Sequence, residues 1–184
     1  MRTQADWQHF YKSLGDDLRA LNTLFEHGKN AMGRRVFAAY VFTMFESTGR
    51  LLINQVNLAM REGQTGSVTE RQIKAARAKA SQRVDPVEHI IFALKYISAF
   101  HLTKDFDPRQ VDPWEEVQIS KTVRDRVIHP RTVDDLNVTL KEHQRSKFAL
   151  VWLLNCSTFV ETFQSSPGIS FAEARASLSK PTQR

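Results

Sequence analysis

The stretch 36–45, Val-Phe-Ala-Ala-Tyr-Val-Phe-Thr-Met-Phe, constrains this chain more than any other. Wound as a helix it is apolar on nearly every side, and such a helix is stable only when other elements enclose it. It falls inside a longer helical stretch predicted from near Asn30 to Glu62, with Gly63 and Gly66 to end it. A chain built round such a segment folds as a bundle with this helix at its centre.

The rest of the chain keeps the helical period. Trp7, Phe10, Leu14, Leu18, Leu21 and Phe25 recur every three or four residues, and Gly28 is placed to stop that helix. Two later helix starts share one construction, Asp85-Pro86-Val87-Glu88 and Asp112-Pro113-Trp114-Glu115. Each sets aspartate at the N-cap, proline at the first helical position and glutamate in the first turn. The first predicts a helix to about His101 with Ile90, Ile91, Leu94, Ile97 and Phe100 inward. The second predicts a helix ending at His129, and a loop carrying Pro108 lies between them. Thr139 and Glu142 make a capping box before a helix carrying Phe148, Val151, Trp152, Leu154, Phe159, Val160 and Phe163. Ser166-Pro167-Gly168 breaks that helix, Ser170 and Glu173 start a short extra C-terminal one, and 180–184 is a frayed tail. No strand-like alternation appears, so the expected fold class is all-α, a helical bundle forming one domain over 1–184.

Composition narrows the function classes. Hydrophobic residues at 41% and charged residues at 25% are ordinary for a globular protein. The one cysteine, Cys156, excludes an internal disulfide framework and fits a reducing cytoplasm, and its apolar neighbours predict a buried thiol. The N-terminus lacks the apolar core of a signal peptide, and the runs 36–45 and 148–154 fall short of the roughly 20 residues of a membrane helix, so no membrane association is expected. His9, His27, His89, His101 and His143 show no ligand spacing with Cys156 or with clustered carboxylates. Gly-rich phosphate loops, CxxC pairs and GxSxG elbows are absent from the sequence, so neither a metal nor a cofactor is expected. A formal charge of +6 leans toward a polyanionic partner.

Two features admit two readings each. Glu46 stands four residues before Arg50, which makes either a solvated ion pair or a core-facing carboxylate that orients Arg50 or Arg124. The segment 64–85 is basic, with Arg71, Lys74 and Arg77 among its cations, and Ser67 with Glu70 can cap a short, loosely held helix there. Its charge is either a solvated face or a nonspecific phosphate-binding surface.

The chemistry concentrates in Lys121-Thr-Val-Arg-Asp-Arg-Val-Ile-His-Pro130. On an ideal helix Ile119, Val123 and Val127 line one stripe, Val117 and Ile128 a second, and Arg124 projects between them. A guanidinium packed in that position needs an anionic partner. Asp125 and His129 are four apart on another face, where the carboxylate can fix the imidazole tautomer. Arg124 and His129 lie about 140° apart on a straight helix. They converge only if Pro130 distorts the helix at His129 or a second subunit contributes.

Val-Arg-Asp-Arg-Val-Ile-His-Pro resembles the signature of the HEPN superfamily, an arginine, a polar residue and, after a short gap, a histidine. Pro113-Trp114 and the helix within 135–163 are similar to HEPN proteins more loosely. Arg83 and His89 have an allowed spacing too, but a valine follows Arg83 and Asp85-Pro86 interrupts the helix, so the match rests on more than spacing. The resemblance implies metal-independent RNA cleavage in the cleft of a homodimer, as in toxins paired with an antitoxin or antiphage effectors. It assigns His129 as the base, Arg124 as the phosphate clamp and Asp125 as the orienting polar residue. Lys121, Arg126 and Arg131 would add phosphate contacts. Some HEPN proteins instead serve as non-catalytic modules that bind RNA or a protein partner.

Overall fold

The computed structural model describes residues 30–61, 85–103 and 105–179, together with Lys12, Asp16, Arg19, Lys74 and Ala78. The apolar positions of the helix expected over 7–25, the glycine stops at 28, 63 and 66, the Ser67–Glu70 cap and the tail 180–184 lie outside the described residues, while Lys12, Asp16 and Arg19 are helical. Five helices are bounded: α1 (Ala31–Arg61), α2 (Pro86–Phe100), α3 (Trp114–Ile128), α4 (Leu140–Ser165) and α5 (Phe171–Leu178). Short 3-10 turns occupy Pro108–Gln110 and Asp134–Leu136, and the described residues include no strand. The fold is all-α, as the periodicity predicts.

Local chemistry sets most of the helix ends. The Asn30 side chain accepts the Met32 amide at 2.8 Å to open α1. Asp85 accepts the Val87 amide at 2.8 Å ahead of Pro86 and opens α2. The Thr139–Glu142 and Ser170–Glu173 capping boxes both form, at the starts of α4 and α5. Asp112 departs from the expected pattern. The peptide joining it to Pro113 is cis, α3 begins only at Trp114, and the Asp112 carboxylate faces Arg175 at 3.5 Å instead of capping. After α4, Gly168 adopts φ +86°, a region costly for residues with a Cβ, and its amide bonds the His101 carbonyl at 2.7 Å.

The chain groups into two compact units, Met1–Met44 with Glu115–Leu150 and Phe45–Trp114 with Val151–Arg184. In the first, Phe37, Ala38, Val41 and Phe42 of α1 are buried, as are Val117, Val123 and Val127 of α3. Val138 is fully buried with them, so the connection after α3, polar by sequence, is pinned by one apolar residue. In the second, Trp152 is fully buried and donates its indole N–H to the Pro108 carbonyl at 2.9 Å. Phe106 meets Phe163 and Phe171 edge-on at 5.0 and 5.2 Å. Gly49 lets α1 approach α2, because a Cβ there would stand 3.0 Å from the His89 Cβ and 3.3 Å from the Pro86 carbonyl oxygen.

Several apolar positions along the helices are only partly covered. Ile128 is 41% exposed, and on α4 Phe148, Val151 and Leu154 are 44%, 40% and 41% exposed. Alone among the inward set of α2, Phe100 is half-buried. The window Ala31–Asn54 of α1 is long and apolar enough to cross a membrane by length and composition, contrary to the estimate from the run 36–45 alone. Yet 56% of that window is buried within the chain, the pattern of a core helix.

Candidate functional site

The site grows from the buried face of α3. Val117, Ser120, Val123 and Val127 turn inward, and Arg124 follows Val123 with a side chain only 26% exposed. Its guanidinium carbon lies 5.9 Å from the centroid of the Phe42 ring, within the range at which a cation is attracted to the ring face. Nη1 donates to Asp125 Oδ1 at 2.8 Å. Nε is buried and makes no hydrogen bond, while Nη2 also makes none and is not among the buried atoms. The arginine is thus packed against the Phe42 ring, paired at one terminal nitrogen and without a hydrogen bond at the other.

The helix ends one turn later. The His129 amide still bonds the Asp125 carbonyl at 3.0 Å, but α3 closes at Ile128 and Pro130 cannot extend the ladder. His129 is exposed, and its ring forms no hydrogen bond to Asp125. Sequence spacing assigns the Asp125 carboxylate to His129. In the structure it goes to the adjacent Arg124 guanidinium, in a charge-assisted hydrogen bond at 2.8 Å.

The neighbouring cations divide by role. Arg126 donates to the Glu142 carboxylate at 2.9 Å and to the Asn137 carbonyl at 3.2 Å, which ties the end of α3 to the cap of α4. Burial works to raise the Glu142 pKa, but hydrogen bonds from Thr139 and Arg126 outweigh it and hold the carboxyl below its usual range. Arg131 is exposed, and its amide, with that of Thr132, donates to Asp135 Oδ2 at 2.8 Å. Those two amides hold the Asp135 carboxyl low as well. Lys121 is half-buried on α3. Lys74 is helical and exposed, whereas Arg71 and Arg77 lie outside the described residues. Glu46 bonds Arg50 at 2.5 Å with the two side chains 43% and 71% exposed, which is the solvated-pair reading.

Sequence reasoning passed over two residues of the same unit. Phe42 gives no signal of its own, being one of several aromatics in the apolar run. His143 is only 5% exposed, touches Phe37 edge-on at 4.7 Å and leaves both ring nitrogens without a hydrogen bond. Burial first, then Lys147 and Arg34, lowers its pKa. Cys156 is fully buried and burial pushes its thiol pKa up, which leaves it unreactive. Among the described residues no three His, Cys, Asp or Glu side chains gather as metal ligands would. Comparison with family models, curated proteins and solved structures gives no match for this chain.

Proposed function

We propose that this chain is a metal-independent endoribonuclease of the HEPN type, acting in the cytoplasm as a toxin or antiphage effector. The observation that carries the reading is the state of Arg124, a half-buried guanidinium packed against Phe42 whose Nη2 makes no hydrogen bond, one helical turn before an exposed histidine. Such a group binds a phosphodiester and stabilises the charge that develops as it is attacked. His129 takes the proton of the ribose 2′-hydroxyl. The 2′-oxygen then bonds to phosphorus, the bond to the 5′-oxygen breaks, and that oxygen leaves with a proton. The products are a 2′,3′-cyclic phosphate and a 5′-hydroxyl. The exposure of His129 at the very end of α3 fits a site completed by a second copy of the chain. Arg131 is exposed and can reach the phosphates, whereas Arg126 is committed to Glu142.

The test is cleavage of varied RNAs in excess EDTA by wild type, Arg124→Ala and His129→Ala. Cleavage by wild type alone is expected. Equal cleavage by the His129 variant, or none by wild type, contradicts the reading.

One observation favours a second function, a non-catalytic module that binds RNA or a protein partner. Among the described residues none hydrogen-bonds the His129 ring to fix its tautomer, since Asp125 is held by Arg124. Salt-dependent RNA binding without cleavage is the signature of that alternative.

A further inference from the structure

We infer that Phe42, on α1, is a positioning residue for Arg124 and sets the plane in which its guanidinium meets a phosphate. The inference rests on the ribonuclease reading for its functional consequence but not for its geometry. Phe42 is 2% exposed and is therefore fixed by its own packing. The guanidinium carbon sits 5.9 Å from the ring centroid, and Nη1 is tethered to Asp125 at 2.8 Å. Nε is buried and makes no hydrogen bond, so no polar group at that atom orients the guanidinium. The ring face and the Asp125 carboxylate are therefore the contacts that fix the plane, and Nη2 is the nitrogen they leave for an anion.

A planar cation bound by a ring face and one carboxylate has a single orientation, whereas one bound by the carboxylate alone can swing about that bond. Pre-orienting a phosphate-binding guanidinium favours the transition state more than it favours ground-state binding of substrate. Phe42 acts through Arg124 and does not itself touch substrate. It belongs to the segment that marks the chain as a bundle, so one apolar position both closes the core and orients the site.

Fluorinated phenylalanines at position 42 separate this role from packing, because fluorine weakens the attraction of the ring face for a cation while scarcely changing its size. Two readouts apply, the hydrogen-exchange rate of the Arg124 Nε–H by nuclear magnetic resonance and kcat/KM on a short RNA. Increasing fluorination is expected to speed exchange by about tenfold and to lower kcat/KM by about tenfold, chiefly through kcat, at constant melting temperature. Phe42→Leu is expected to reproduce both effects. Exchange and cleavage that stay constant across the fluorine series overturn the inference. If wild type does not cleave RNA at all, the ribonuclease reading fails, and the exchange rate still decides whether Phe42 holds Arg124.

Discussion

Asp125 can serve either Arg124 or His129, and its hydrogen bond from Arg124 Nη1 at 2.8 Å makes it the counter-ion of the proposed phosphate clamp. On the proposed function, a bound phosphate competes with that carboxylate. Asp125→Asn is therefore expected to tighten RNA binding about threefold and to steepen its salt dependence, as read by fluorescence anisotropy at two ionic strengths. Weaker binding would place Asp125 elsewhere in the chemistry. His143 offers an independent residue-scale outcome. Burial, with Lys147 of α4 and Arg34 of α1 facing it, lowers its pKa below the ordinary 6.5, so the unfolded chain takes up the proton first. Its contribution to stability is whole above pH 6.5 and is lost as pH falls below that value toward the folded-state pKa. Thermal melts at pH 7.5 and 5.5 should show a loss in wild type that is smaller in His143→Phe; equal losses would contradict this. At this scale the sequence exposes the Arg-Asp-His spacing, because it is local. It hides Phe42 and the burial of His143, because both depend on contacts between distant segments.

Helix ends follow local rules where the cap residue is free to reach the first turn. Asp85, Thr139 and Ser170 all reach it, and each was readable from residue type and spacing. Asp112 has the same flanking residues as Asp85 and does not cap, its carboxylate turning instead to Arg175 at 3.5 Å. The two aspartates therefore make a matched pair for mutation. Asp85→Ala is expected to cost about 1 kcal/mol in urea unfolding. The same change at Asp112, whose carboxylate is 89% exposed, should stay within about 0.5 kcal/mol. Equal losses at the two positions would show that the cap at Asp85 contributes little. The apolar faces were less readable than the caps. Periodicity places Phe148, Val151 and Leu154 on α4 but does not say which of them other elements cover.

Across the whole chain, the all-α class followed from the period of the apolar residues, while the grouping into two compact units did not. Both α1 and α4 run from one unit into the other, so no break in composition marks the division. The candidate site lies within one of these units, where α3 supplies Arg124, Asp125 and His129 and α1 supplies Phe42. Long-range packing thus brings an unremarkable apolar position against Arg124. The function proposed for the whole molecule is attack by a 2′-hydroxyl, with a proton taken by His129 and no metal required. The chemistry of the RNA ends reports on it most directly. Mass spectrometry of fragments produced in EDTA should find 2′,3′-cyclic phosphates and 5′-hydroxyls, lost with Arg124→Ala, His129→Ala or a 2′-deoxy sugar at the cut. Fragments ending in 3′-hydroxyls, or cleavage that survives the 2′-deoxy substitution, would contradict it.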